Sequence, residues 1–195
     1  QNWKARGALA ANAKADTLAA AAGYQAVVSG SCSVATNAQV LHWRQSGKPA
    51  FAIDPLAVAS GTDVITQALQ WATPLLSQGP VLIYATAEPE AVKAIQSQLG
   101  VAQAGELVEH TLSSIAKGLV QAGVRQLVVA GGETSGAVVQ ALDVERMVIG
   151  PQIDPGVPWT CVTSKVCHGD TVHVTLKSGN FGTNDFFEKA FALLK

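Results

Sequence analysis

The stretch Leu127-Val128-Val129-Ala130-Gly131-Gly132-Glu133-Thr134-Ser135-Gly136 joins an apolar run to a glycine pair and then to residues that start helices. Four apolar residues in succession suit a strand covered on both faces, and the glycine pair frees the backbone to turn sharply at its end. Thr134 or Ser135 is placed to cap a helix near Gly136 to Leu142. Such a turn aims the first amides of the helix, and the positive end of its dipole, into the loop, which makes an anion site with phosphate as the obvious guest. The same turn also occurs without a ligand, so support has to come from elsewhere in the chain.

That support is a repeated pattern. Gln25 to Ser29 reads as a strand running into Gly30-Ser31-Cys32-Ser33, with Ser33 placed to cap a helix over Val34 to Trp43. Ala50 to Ile53 and Val81 to Ala85 read as further strands, and Thr62 to Leu76, Glu88 to Leu99 and Gly105 to Ala122 as helices. Trp3 to Ala22 is alanine-rich and reads as one long helix stopped by Gly23. Beyond the central turn, Arg146 to Ile149 is an expected strand, and Gly150 to Pro158 is expected to be a turn-rich connection, too rich in proline for regular structure. Trp159 to Thr163 and Thr171 to Leu176 follow as strands, then Lys177-Ser178-Gly179-Asn180-Phe181-Gly182, then a closing helix from Asp185 to Leu194.

Strand and helix alternate along the chain, so the expected fold class is α/β, a mostly parallel sheet between helix layers with right-handed crossovers. Ligands of such sheets collect outside the carboxyl ends of the strands. Three strands here end in glycine and hydroxyl residues, at Gly30 to Ser33, Gly131 to Ser135 and Lys177 to Gly182. Small residues let backbone amides approach phosphate oxygens, hydroxyls add donors, and Lys177 is either a positive charge for the anion or a solvated lysine at a strand end. No Gly-x-x-x-x-Gly-Lys-Ser/Thr run and no Gly-x-Gly-x-x-Gly after a first strand is present, which argues against a P-loop ATPase and a dinucleotide-dependent dehydrogenase.

Composition excludes more than it assigns. A chain of 195 residues with 48% hydrophobic content can bury a core, and a formal net charge of -1 provides neither a basic stripe for nucleic acid nor a polybasic membrane patch. No apolar run approaches the roughly 18 residues of a bilayer-spanning helix. Cys32, Cys161 and Cys167 are too few for a disulfide framework, so reduced thiols and a cytoplasmic location are expected, and Cys161, Cys167 and His168 lack the second ligand cluster of a structural metal site. The start Gln1-Asn2-Trp3-Lys4 is neither an initiator methionine nor a signal sequence and reads as a cut inside a longer chain.

The motifs Val129 to Gly136, Ile153-Asp154-Pro155-Gly156-Val157-Pro158-Trp159, Leu176 to Gly182 and Ser29 to Ser33 resemble, in order and spacing, the four-carbon acid sugar kinase family. The resemblance covers residues 1–195 but only the carboxyl-terminal, nucleotide-binding half of that family, and the loop wording is most similar to the branch acting on 3-oxo-tetronate. It implies a two-domain kinase whose amino-terminal domain, which holds the acid sugar, is outside this chain. It also implies transfer of the ATP γ-phosphoryl group to a hydroxyl of the sugar acid, with Mg²⁺ bridging phosphates. By resemblance, ATP contacts fall on Ser31, Gly131, Gly132, Glu133, Thr134 and Gly179, with Ser33, Ser135 and Lys177 beside them. Glu133 either orients Mg²⁺ through water or holds a loop amide, and Asp185 either touches metal or caps the final helix. His42, His110 and His173 read as packed or surface residues, Arg6, Arg44, Arg125 and Arg146 are scattered, and no catalytic base can be assigned. A regulatory module that binds nucleotide without chemistry, and an α/β enzyme acting on a phosphorylated substrate, remain open readings of the same loops.

Overall fold

The computed structural model describes residues 17–18, 22–167 and 170–194. The helix expected over Trp3 to Ala22 therefore lies largely outside the described residues. The rest forms one sheet of seven strands: β1 (Tyr24–Ser29), β2 (Ala50–Ala52), β3 (Val81–Tyr84), β4 (Val124–Ala130), β5 (Val144–Asp154), β6 (Val157–Ser164) and β7 (Val172–Lys177). Their order across the sheet is β2-β3-β1-β4-β7-β6-β5, with every pair from β2 to β7 parallel and the last two pairs antiparallel. The helices are α1 (Val34–Gln45), α2 (Pro55–Ala59), α3 (Val64–Leu76), α4 (Pro89–Leu99), α5 (Val101–Gln121), α6 (Gly132–Ala141) and α7 (Phe186–Leu193). Among the described residues no helix is long and apolar enough to cross a membrane.

The apolar runs of the central strands follow from their burial on both faces. Val28, Leu127 and Val129 pack against Leu112, Ile115 and Leu119 of α5 and Ala68 of α3. Val27, Val128 and Ala130 turn the other way, onto Trp43 of α1 and Phe186, Phe187 and Ala190 of α7. Each buried indole is satisfied by a carbonyl, Trp43 Nε1 donating to Pro49 O at 3.0 Å and Trp159 Nε1 to Ala190 O at 2.8 Å.

The segment Gly150 to Pro158 is not the irregular connection that its prolines predict. It forms the end of β5, a turn at Pro155-Gly156 and the start of β6. β5 is the edge strand, where proline's missing donor costs no ladder bond, and the pairing register shifts between Ile149 and Gln152, around Pro151. Two helix boundaries also move. α5 starts at Val101 rather than Gly105, and α6 starts at Gly132 rather than Gly136. The short α2, begun by Pro55 after an Asp54 cap, lies in a stretch for which the sequence suggested no element.

Strand order reverses around β1, because β3 lies on one side of it and β4, the next strand in sequence, on the other. Crevices for ligands open at such reversals, outside the carboxyl ends of the strands. In register, Ser29 stands beside Ala130 and Ala130 beside Lys177, so the loops after β1, β4 and β7 leave the sheet at one level and next to one another.

Candidate phosphate-binding site

The three loops are tied together by their backbones. Gly30 N and Ser31 N both donate to Ala130 O, at 3.0 and 3.2 Å, and Gly131 N donates to Lys177 O at 2.8 Å. Gly131 sits at φ +130°, a conformation that side chains rarely adopt, and a Cβ there would lie 2.8 Å from Thr134 Oγ1 and 3.1 Å from Ser31 N. The turn is therefore glycine for both backbone and space.

Helix α6 begins immediately after it, with Gly131 at the N-cap and no side-chain cap. Neither Thr134 nor Ser135 caps it. Both lie inside the first turn and are buried, and the Ser135 hydroxyl donates back to Gly131 O at 2.6 Å, which fixes the glycine rather than offering a donor to a ligand. Gly132 and Glu133 are exposed at the helix start, and a Cβ on Gly132 would meet nothing within 4 Å. Gly132 has ordinary helical geometry, so the positive φ of the turn belongs to Gly131 alone.

Ser33 caps α1 as expected, accepting from Thr36 N at 3.2 Å, and its hydroxyl also reaches Gly179 O at 2.6 Å. The same carbonyl accepts from Thr36 Oγ1 at 2.8 Å and from Lys177 Nζ at 2.9 Å. Lys177 additionally donates to Thr36 Oγ1 at 2.9 Å and Ser178 O at 3.2 Å. It is fully buried, so it is neither a solvated lysine nor a side chain extended toward a ligand. Burial pulls its ammonium from the ordinary 10.5 down to about 8, while the three oxygens around it favour the charged form. Because a trans peptide holds C=O and N–H on opposite sides, drawing Gly179 O inward turns the Asn180 amide away from the lysine. Gly179 itself admits no side chain, since a Cβ would stand 2.5 Å from Ser31 Oγ.

The rest of this loop is held from below. Gln39 Nε2 reaches the carbonyls of Phe181, Gly182 and Thr183 at 3.0, 3.1 and 3.0 Å. Asp154 accepts from Thr183 N at 3.0 Å and from the Lys189 ammonium. Burial pushes the Asp154 carboxyl up, and the bonds from Lys189 and Thr183 outweigh it and hold the group below its usual range. Asn37 does the corresponding job for the first loop, donating to the carbonyls of Cys32, Ser33 and Ala87. Thr36, Asn37 and Gln39 were invisible as site residues in the sequence because they lie within a helix and bond to distant loops. Their only signal was three polar residues on a helix directly after a Gly-Ser-Cys-Ser turn.

Glu133 faces Glu109 of α5, whose carboxyl is raised by burial first and then by the Glu133 charge. Asp185 occupies the N-cap of α7 but makes no side-chain cap bond, the helix amides of Glu188 and Lys189 reaching its carbonyl instead. His173 is buried with both ring nitrogens unpaired, on the far part of β7, whereas His42 is half-buried beside Glu188. The predicted residues thus separate into an exposed or half-exposed rim, Ser31, Ser33, Gly132, Glu133 and Gly179, and a buried support, Gly131, Thr134, Ser135 and Lys177.

The sequence matches the family model described as a nucleotide-binding C-terminal domain over residues 26–187. It is 55% identical over 180 residues to a 3-oxo-tetronate kinase of Pseudomonas fluorescens, covering 92% of this chain and 40% of that protein. With the 3-oxo-tetronate kinase of Burkholderia multivorans it shares 54% over 194 residues, covering 100% of this chain and 44% of the relative. The crystal structure of a Haemophilus influenzae protein, 42% identical, superposes with a TM-score of 0.82 over 91% of this chain and 42% of its own. The chain spans about two fifths of the length of the curated relatives it matches.

Proposed function

The chain belongs to the family of nucleotide-binding C-terminal domains, and on that premise we propose that it is the ATP-binding part of a four-carbon acid sugar kinase, acting on 3-oxo-tetronate. The observation that carries the reading is the convergence of the Ser31, Gly132 and Gly179 loops at the ends of three adjacent parallel strands. The reaction moves the ATP γ-phosphoryl group to the 4-hydroxyl of the acid and releases ADP. Such transfers need little covalent chemistry from the protein; positioning and charge neutralisation supply most of the acceleration.

The groups at the three loops fit that task. The amides of Gly132 and Glu133 at the start of α6 are oriented donors for phosphate oxygens, strengthened by the helix dipole. The Ser31 hydroxyl, which lies beside Gly179, and the Asn180 amide close the other sides of the cradle. Lys177 acts through Gly179, holding its carbonyl inward and placing a buried positive charge beneath the anion. Mg²⁺ supplies charge neutralisation across the phosphates when bound, and the adjacent oxygens of Glu133 and Glu109 suit a hard cation that keeps several waters.

Among the described residues, the carboxylates beside the cradle, Glu133 and Glu109, face each other, and neither is assigned the proton of an acceptor hydroxyl. The acid-sugar site is therefore assigned to the part of the relatives that this chain does not match, and the whole protein works in the cytoplasm, where ATP is available. The test is ADP release from Mg²⁺-ATP with and without 3-oxo-tetronate. The 195-residue chain is expected to bind Mg²⁺-ATP without acid-dependent turnover, and to gain turnover when the amino-terminal part of a relative is supplied. Acid-dependent turnover by this chain alone would overturn the division of labour.

A further inference from the structure

On the α5 side of the sheet, beside the Gly131 turn, a cavity of about 160 Å³ opens between α4 and α5. Gly30 and Thr134 form its inner end, next to the phosphate loops. Its walls are apolar: Val92 and Ile95 from α4, Ala104 and Val108 from α5. Gln96, Glu109 and Glu133 contribute polar groups at its rim. An apolar cavity of about 150 Å³ is large enough to accept a benzene ring.

Two features of the surrounding helices are unexplained by the protein alone. Gly105, also lining the cavity, is the fifth residue of the 21-residue α5 and costs that helix up to about 1 kcal/mol relative to alanine. Its backbone is not in the positive-φ region, and a Cβ on it would meet no atom within 4 Å. Neither conformation nor packing within the protein requires glycine there; what a side chain would take up is cavity space. Helix α4 has no fully buried residue, and its half-buried Val92 and Ile95 border the hole instead of filling it. Both features make sense when a flat apolar body lies between the helices.

The sugar acid is a poor occupant. Its hydroxyls and carboxylate would meet apolar walls, and its negative charge would meet Glu109, whose carboxyl is already raised by burial and then by the Glu133 charge. Resting on the nucleotide reading above, we infer that this cavity receives the heteroaromatic base of the nucleotide whose phosphates lie on the three loops. The ring packs between Val92 and Ile95 on one side and Ala104, Gly105 and Val108 on the other, with Gln96 available to its polar edge.

The test uses the full 195-residue chain, calorimetric titration with Mg²⁺-ADP and with inorganic tripolyphosphate, and the variant Gly105→Leu. Leucine is a strong helix former, so the variant is expected to melt no lower than the parent. Parent protein is expected to bind ADP more tightly than tripolyphosphate. Gly105→Leu is expected to lose at least about tenfold in ADP affinity and to keep its tripolyphosphate affinity, with Ile95→Gln on the facing helix showing a milder loss of the same kind. Unchanged ADP affinity in the folded Gly105→Leu protein, or equal loss of both ligands, overturns the assignment. Parent protein that binds tripolyphosphate as well as ADP removes the base pocket and leaves the phosphate loops standing. Binding of neither ligand by the parent defeats the nucleotide reading itself, and this inference with it.

Discussion

Replacing Lys177 by methionine should remove a specific pH dependence of stability. The ammonium is fully buried, bonds three oxygens, and lies near 8 instead of 10.5 because burial disfavours its charge. Below about pH 8 both folded and unfolded chains carry the proton, and the folded state bears the whole desolvation cost. Between about 8 and 10.5 the unfolded chain binds more protons, so stability rises with pH, and above that window the gain is complete. The shift corresponds to about 3 kcal/mol across the window. Absolute stability at neutral pH is the weaker diagnostic, since methionine removes both the desolvation cost and the hydrogen bonds, and such exchanges often come out near neutral. Denaturant unfolding of parent and Lys177→Met proteins across this pH range should give curves that converge or cross as pH rises, the parent gaining on the variant. Parallel curves would refute the claim that Lys177 is held charged in a desolvated site.

Four further outcomes follow from the same geometry. Gly132→Val should abolish detectable ATP binding by calorimetry while leaving thermal melting nearly unchanged, because Gly132 has helical geometry and open space in front of it; a folded variant with parental affinity would remove this loop from the site. Thr36→Val should leave Lys177 with one fewer acceptor and Gly179 O with one fewer donor, costing about 1–3 kcal/mol in denaturant unfolding and weakening ATP binding with it; no change in either would show that the node does not hold the loop. Asp154→Asn should free the loop at Thr183 and leave Lys189 without its partner, read as faster hydrogen exchange at the Thr183 amide; unchanged exchange would dismiss the anchor. The Asp154 carboxyl is held below its usual range, so its contribution is present above the ordinary carboxylate range and is lost as pH falls through the folded value; acid unfolding of Asp154→Asn should be correspondingly less steep.

The layers of this fold were legible because parallel strands covered on both faces must be apolar throughout, as Leu127 to Ala130 and Ala26 to Val28 are. The three loops were legible as turns for a related reason: glycine and hydroxyl residues directly after such runs end the strand and start the helix or turn that follows. The β5–β6 hairpin was not, since Pro151 argues against a strand unless it is known to lie at an edge, and Pro158 unless it is known to sit at the strand's start beside a register shift; both are properties of the assembled sheet. The alternative of a solvated Lys177 fails because only the packing of α1 over the end of β7 shows that the side chain is buried. The helix start at Gly132 was placed a turn late because Thr134 and Ser135 are good capping residues, whereas Thr134 packs against Gly30 and Ser135 bonds back to the Gly131 carbonyl.

The central claim is that the loops after β1, β4 and β7 together hold the phosphates of a nucleotide. Amide proton–nitrogen correlation spectra of the chain, titrated with Mg²⁺-ADP, test it most directly. Saturating shifts are expected to concentrate at residues 31–33, 131–134 and 178–181, with one shared dissociation constant across the three segments. Shifts confined to one of them, or centred elsewhere while these amides stay still, would contradict it.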